Sequence, residues 1–120
     1  MGQRILQAII VIATAVTATV HLVLGAGSLS GADTRFGAMF IFNGLGYLAL
    51  LAALFLDIRF FADRRPLVLW VFAVYTTLTF VLYFVFNGFT FGAAAIAAKL
   101  AELLLGVSLL LYMPHRRWAD

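Results

Sequence analysis

The chain has 120 residues, 65% of them apolar and 11% charged, with a net charge of +3 and no cysteine. Soluble domains run at about 45–50% apolar and about 25% charged, and a globule this small leaves much of its surface wet. A soluble enzyme, a disordered chain, a disulfide scaffold and any thiolate-bound metal centre are therefore excluded, which leaves an integral membrane protein.

Four apolar stretches have the roughly 17–25 residues that cross a bilayer as a helix. The first runs from about Ile5 to Leu24 and stops at Gly25-Ala26-Gly27-Ser28. Its apolar region is too long for a signal peptide, and Leu6 breaks the myristoylation pattern that Met1-Gly2 would open, so it is read as a span. The second runs from about Gly37 to Leu56 and ends at Asp57-Ile58-Arg59. Asn43-Gly44 lies inside it, since the run from there to Leu56 is too short to cross. The third follows Asp63-Arg64-Arg65-Pro66, where a proline is tolerated at a helix start, and runs from about 67 to 86; Asn87-Gly88 reads as the turn out of it. The fourth runs from about Ala93 to Met113 and ends at Pro114-His115-Arg116-Arg117. The short connections make successive helices antiparallel neighbours. The expected fold is all-α, a single up-down four-helix transmembrane bundle over residues 1–120.

Arg4, Arg59, Arg64, Arg65, Arg116 and Arg117 fall on one side of this arrangement, and only Arg35 lies on the other. The positive-inside rule then puts both termini in the cytoplasm, in what reads as a prokaryotic cytoplasmic membrane. Trp70, Tyr112 and Trp118 share that end and read as an aromatic belt. These arginines flank lipid without interleaved stacking aromatics, so no nucleic-acid partner is expected.

Ionisable groups inside a span are costly and are functional candidates by default. Here they are His21, Lys99 and Glu102. With the span orientations above, Lys99 and Glu102 lie about 9 and 14 Å below the outer start of span four, Asn43 is at a similar depth in span two, and Tyr47 is one turn deeper. Lys99 and Glu102 are i, i+3 neighbours, close enough for an ion pair. Thr14, Thr17 and His21 share a face of span one, Asn43 and Tyr47 one of span two, and Tyr75, Thr79 and Tyr83 one of span three. Lipid satisfies none of these groups, so the four polar faces should turn inward and meet in the outer half of the bundle. The candidate site is His21, Asn43, Tyr47, Tyr83, Lys99 and Glu102, read either as a ligand-binding pocket or as a buried polar network. The threonine stripe reads as helix glue, since Thr can bond carbonyls of its own helix.

Other chemistry finds no residues to carry it. A bis-histidine haem needs both imidazoles at one iron, but His21 and His115 lie about a membrane thickness of 30 Å apart. No second ligand stands near His21 at zinc spacing, and no phosphate loop or nucleophile–base set is present. No cofactor, metal or catalytic residue is assigned.

The segments Phe42-Asn43-Gly44-Leu45-Gly46-Tyr47, Leu82-Tyr83-Phe84 and Lys99-Leu100-Ala101-Glu102, with His21-Leu22, resemble a family of small uncharacterised four-span membrane proteins best represented in haloarchaea. The resemblance covers most of the chain and implies the same architecture and polar positions, with no activity attached. In layout the chain is also similar to the DoxX-like proteins, on shape alone. Small multidrug transporters share the size, but the carboxylate they carry in the first span is absent here, where that span has only His21.

Two functions follow from these residues. One is a binding or transport module with a polar pocket for a small ligand or ion in the outer half. The other is a structural or accessory subunit of a larger membrane complex, with the polar cluster as internal glue. A membrane enzyme ranks below both. The expected partner is the lipid bilayer. Small residues at four-residue spacing (Ala15 with Thr19, Ala94 with Ala98, Ala97 with Ala101) allow close helix approach within the bundle or between copies, so a homo-oligomer is also weighed.

Overall fold

The computed structural model describes residues 2–29, 34–87 and 92–112. They form α1 (Gln3–Leu29), α2 (Thr34–Phe55), a single turn α3 (Arg59–Ala62), α4 (Arg65–Asn87) and α5 (Ala93–Tyr112), with no strand among the described residues. All but α3 are long and apolar enough to cross a membrane. This is the all-α, antiparallel four-helix arrangement that the apolar runs predict. Gly88 and the tail that carries His115, Arg116, Arg117 and Trp118 lie outside the described residues.

Each long helix is apolar nearly all round, the pattern expected where both a core and lipid must be faced. In hydrocarbon the helix is favoured because it satisfies every internal backbone group within its own segment. Outward-facing Ile12, Phe42, Leu67, Val85 and Leu104 are exposed, as is Trp70. Pro66 sits in the first turn of α4, where its missing N–H has no intrahelical partner to lose.

Helix α1 is the hub, packing most closely against α2 and α5, while α4 closes the bundle against α5 and α2. Its helix does not stop at Gly25 as the glycines suggest. It continues to Leu29, and Gly25 within it admits α2: a Cβ there would lie 2.7 Å from Ile41 Cγ1 and 2.9 Å from the Gly37 carbonyl oxygen. A small residue that admits a neighbouring backbone is a packing device in membrane helices. The antiparallel register of α1 and α5 is visible in two cross-helix bonds. Gln7 Nε2 donates to the Tyr112 hydroxyl at 3.0 Å, and equal steps further along both helices Thr17 Oγ1 donates to Glu102 Oε2 at 2.7 Å.

The interior divides along the membrane normal. Toward the end that carries the start of α1, the core is built from Leu6, Ile10, Leu54, Leu69, Phe72 and Leu105. Thr76 is buried there too and returns its hydroxyl hydrogen to the Phe72 carbonyl at 2.9 Å. Ser108 is a second buried hydroxyl in that half, whereas toward the other end Thr14, Thr17, His21, Lys99 and Glu102 are buried together with Ala18, Tyr47 and Ala98. Tyr112 belongs to the first region. It is buried and packs edge-on against Phe55 with centroids 6.2 Å apart, so it is a core residue and not part of a lipid-facing belt. Its position at the end of a span fits either role; the bond from Gln7 draws it inward.

Candidate functional site: a buried ionic network

Glu102 is the centre of the polar region. Its side chain is completely buried on α5, one turn beyond Lys99, whose ammonium lies 2.5 Å from Oε1. The i, i+3 spacing that predicts this pair is sufficient to form it. The second oxygen, Oε2, accepts from Thr17 Oγ1 on α1. A carboxylate withdrawn from water needs such donors, because an unpaired charge in a low-dielectric interior is penalised heavily.

His21 stands one turn above Thr17 on α1. Its Nδ1 lies 2.7 Å from the Thr17 carbonyl oxygen. A carbonyl only accepts, so Nδ1 carries the hydrogen. Nε2 lies 4.0 Å from Glu102 Oε2, beyond hydrogen-bonding range. The imidazole is held from the sides by Phe40, edge-on at 5.8 Å, and by Tyr47 at 6.0 Å.

The Lys99 ammonium is enclosed from the α4 side. It donates at 3.4 Å to the Thr79 carbonyl oxygen and lies 4.8 Å from the Tyr83 ring centroid and 5.6 Å from that of Phe80. Ring faces attract cations, the more so when water is excluded. Thr79 links this group to α2, where its hydroxyl donates to Asn43 Oδ1 at 3.3 Å. The Asn43 carbonyl in turn accepts from the Tyr75 hydroxyl at 2.7 Å.

The six residues singled out from the sequence are thus placed as follows. His21, Lys99 and Glu102 come together in one cluster, and Tyr83 forms a wall for Lys99. Asn43 is half-buried and reaches the ion pair only through Thr79. Tyr47 is buried against His21, Phe72 and Tyr75, with its ring edge-on to that of Tyr75 at 4.9 Å. Its hydroxyl stands close to the side chains of Thr76 and Thr79 without a well-formed hydrogen bond to either, and Thr14 Oγ1 finds no partner among the described residues. Sequence reasoning gave Thr17 and Thr79 too small a part. Both share faces with residues it did select, but a threonine in a span usually bonds its own helix, as Thr76 and Thr77 do here.

Chemically the cluster is a neutral set: one cation, one anion, and donors and acceptors that join α1, α2, α4 and α5. Among the described residues no group of three His, Asp or Glu side chains could hold a metal ion. A cleft is found elsewhere, at the opposite end of the bundle, lined by residues that include Gln7 and Tyr112. Gln7 is about 15 Å along α1 from Thr17.

The fold and this core define a four-span helical membrane protein built round a buried ionic network. The chain belongs to a family of unknown function, DUF7475, whose model matches residues 1–112 and so takes in every residue of the network. No curated protein and no solved structure matches it.

Proposed function

We propose that this protein is a structural or accessory subunit of a larger membrane complex, and that its polar network sets how its helices stand against one another. The supporting observation is that the network is closed on itself. Both Glu102 oxygens are occupied by partners from this chain, and Lys99 is enclosed by Glu102, the Thr79 carbonyl and two aromatic rings. A site built to take an anion or a cation keeps one side of its charge open, and this one does not. A buried pair contributes little net stability compared with apolar packing, but it can reject arrangements that leave either charge alone. The same chain presents exposed apolar side chains on all four long helices, which suit lipid or other subunits equally well.

One observation favours the second reading, a small ligand or ion site. Thr14 Oγ1 is buried beside the network without a partner among the described residues, and a small polar guest would satisfy it. Purification from the native membrane in a mild detergent separates the two. The subunit reading expects stoichiometric membrane proteins to stay with the chain through two orthogonal columns. A self-contained monomer or homo-oligomer whose melting temperature rises with a small ion or polar solute overturns it, since only a ligand of the folded state raises stability in that way. In this reading both termini face the cytoplasm, on the strength of six basic residues against one.

A further inference from the structure

The cleft at the end of the bundle that carries the start of α1 has a volume of about 640 Å³ and opens between α1, α2, the start of α4 and the end of α5. Its polar lining is Arg4, Gln7, Arg65 and Tyr112. Exposed Arg4 and half-buried Arg65 thus line one space, and among the described residues its lining holds no carboxylate. Among the described residues neither arginine has an ion-pair partner, and Arg65 Nε is buried without a hydrogen-bond acceptor. Two neighbouring cations, one with a buried donor left over, are the complement of an anion with several oxygens, and arginine forks match phosphate in particular.

The rest of the lining is apolar and includes Val11, Leu54 and Phe55. From Arg4 to Val11 is about 10 Å along α1, so the cleft runs from headgroup level into the hydrocarbon. A soluble phosphate would fill only the basic part and leave the apolar wall uncovered. A glycerophospholipid covers both, with its acyl chain leaving over exposed Ile12 and Val16. The volume suits a headgroup with its glycerol and the first acyl carbons. The Gln7–Tyr112 hydrogen bond and the packing of Tyr112 on Phe55 brace the lining from behind. Basic pockets between transmembrane helices are a known means of holding anionic lipid.

We propose that this cleft binds an anionic phospholipid, with the phosphate between Arg4 and Arg65 and an acyl chain along Val11, Leu54 and Phe55. The site is independent of the ionic network and does not depend on which leaflet it faces.

The test is native mass spectrometry of the full chain in neutral detergent, titrated with phosphatidylglycerol and with phosphatidylcholine of the same acyl chains. The expected result is a preference of about tenfold or more for phosphatidylglycerol. That preference disappears in Arg4→Gln/Arg65→Gln and persists in Arg59→Gln/Arg64→Gln, which removes as much charge from exposed positions at the same end. Should the first double variant fail to fold, Arg65→Gln alone is expected to lose a large part of the preference. An undiminished preference in Arg65→Gln overturns the site. Equal loss in Arg59→Gln/Arg64→Gln reduces the effect to general surface charge and overturns it as well. Glycerol phosphate displacing the lipid at comparable concentration would mark a site for a soluble anion and refute the lipid assignment.

Discussion

Thr17 Oγ1 on α1 donates at 2.7 Å to Glu102 Oε2 on α5, and this bond turns a local ion pair into a tie between helices. Lys99 and Glu102 lie on the same helix, so their attraction alone says nothing about where α5 stands. The hydroxyl of Thr17 fixes α5 against α1. On the other side, the Thr79 carbonyl fixes the ammonium against α4, and the Thr79 hydroxyl carries the connection on to α2. The pair supplies the charge, and two threonines supply the direction.

Removing the carboxylate charge should therefore harm the bundle more than removing both charges. Glu102→Gln strands the Lys99 ammonium in the interior, which costs about 3–5 kcal/mol. Glu102→Gln combined with Lys99→Met removes the stranded charge and should recover most of that loss. Equilibrium unfolding in mixed micelles reads both values. Independent, additive effects of the two substitutions would show that the residues are not coupled in the folded protein.

Thr17→Val keeps the side-chain shape and deletes the hydroxyl, leaving Glu102 Oε2 with only the His21 ring 4.0 Å away. Hydrogen bonds to charged groups contribute about 1.5–3 kcal/mol, whereas side-chain bonds between membrane helices average about 0.6 kcal/mol. With a buried, charged acceptor the loss should fall near the upper of these ranges, about 1.5–2 kcal/mol. In a Glu102→Gln background the same change should cost clearly less, since the acceptor is then neutral. An equal cost in both backgrounds would place the effect of Thr17 somewhere other than Glu102.

The topology reading is tested by a reporter fused after Asp120 and another inserted between 30 and 33. The first is expected to report the cytoplasm and the second the opposite side, in keeping with the arginine asymmetry. The reverse pattern would invert the depth arguments while leaving the network geometry untouched.

The spans were legible because hydrocarbon demands long apolar helices, and Lys99–Glu102 was legible because i, i+3 spacing brings two side chains together on any helix. What periodicity does not encode is how each helix is turned about its axis when it is apolar nearly all round. That rotation decides that Thr17 meets Glu102, that Tyr112 is drawn into the core, and that Asn43 touches Thr79 and not the ion pair. Gly25 was ambiguous for a related reason. A glycine reads as a stop in one strand of sequence, whereas its use here depends on Gly37 and Ile41 of another helix. Arg4 and Arg65 read only as topology signals until the fold brought them to one cleft.

Gly46 offers a test of how tightly α2 and α4 are held beside the network. A Cβ on Gly46 would collide with the hydroxyl and the Cζ of Tyr75, the side chain that donates to the Asn43 carbonyl. The ring cannot simply swing away, because it packs edge-on against buried Tyr47. Gly46→Ala should therefore break the Tyr75–Asn43 bond or push α4 outward, with a loss of about 1–3 kcal/mol typical of overpacking. Tyr75→Phe removes the hydroxyl that makes the closest approach, so in the Gly46→Ala background it should be less harmful than in the wild type. That difference is the measure of the contact, because it isolates the pair from whatever each change does alone. If Gly46→Ala melts like the wild type, or if Tyr75→Phe costs the same in both backgrounds, then α2 and α4 do not meet at this point. The Tyr75–Asn43 bond would then carry no tie between the two helices, and α4 would be held to α2 beside the network through Thr79 and Asn43.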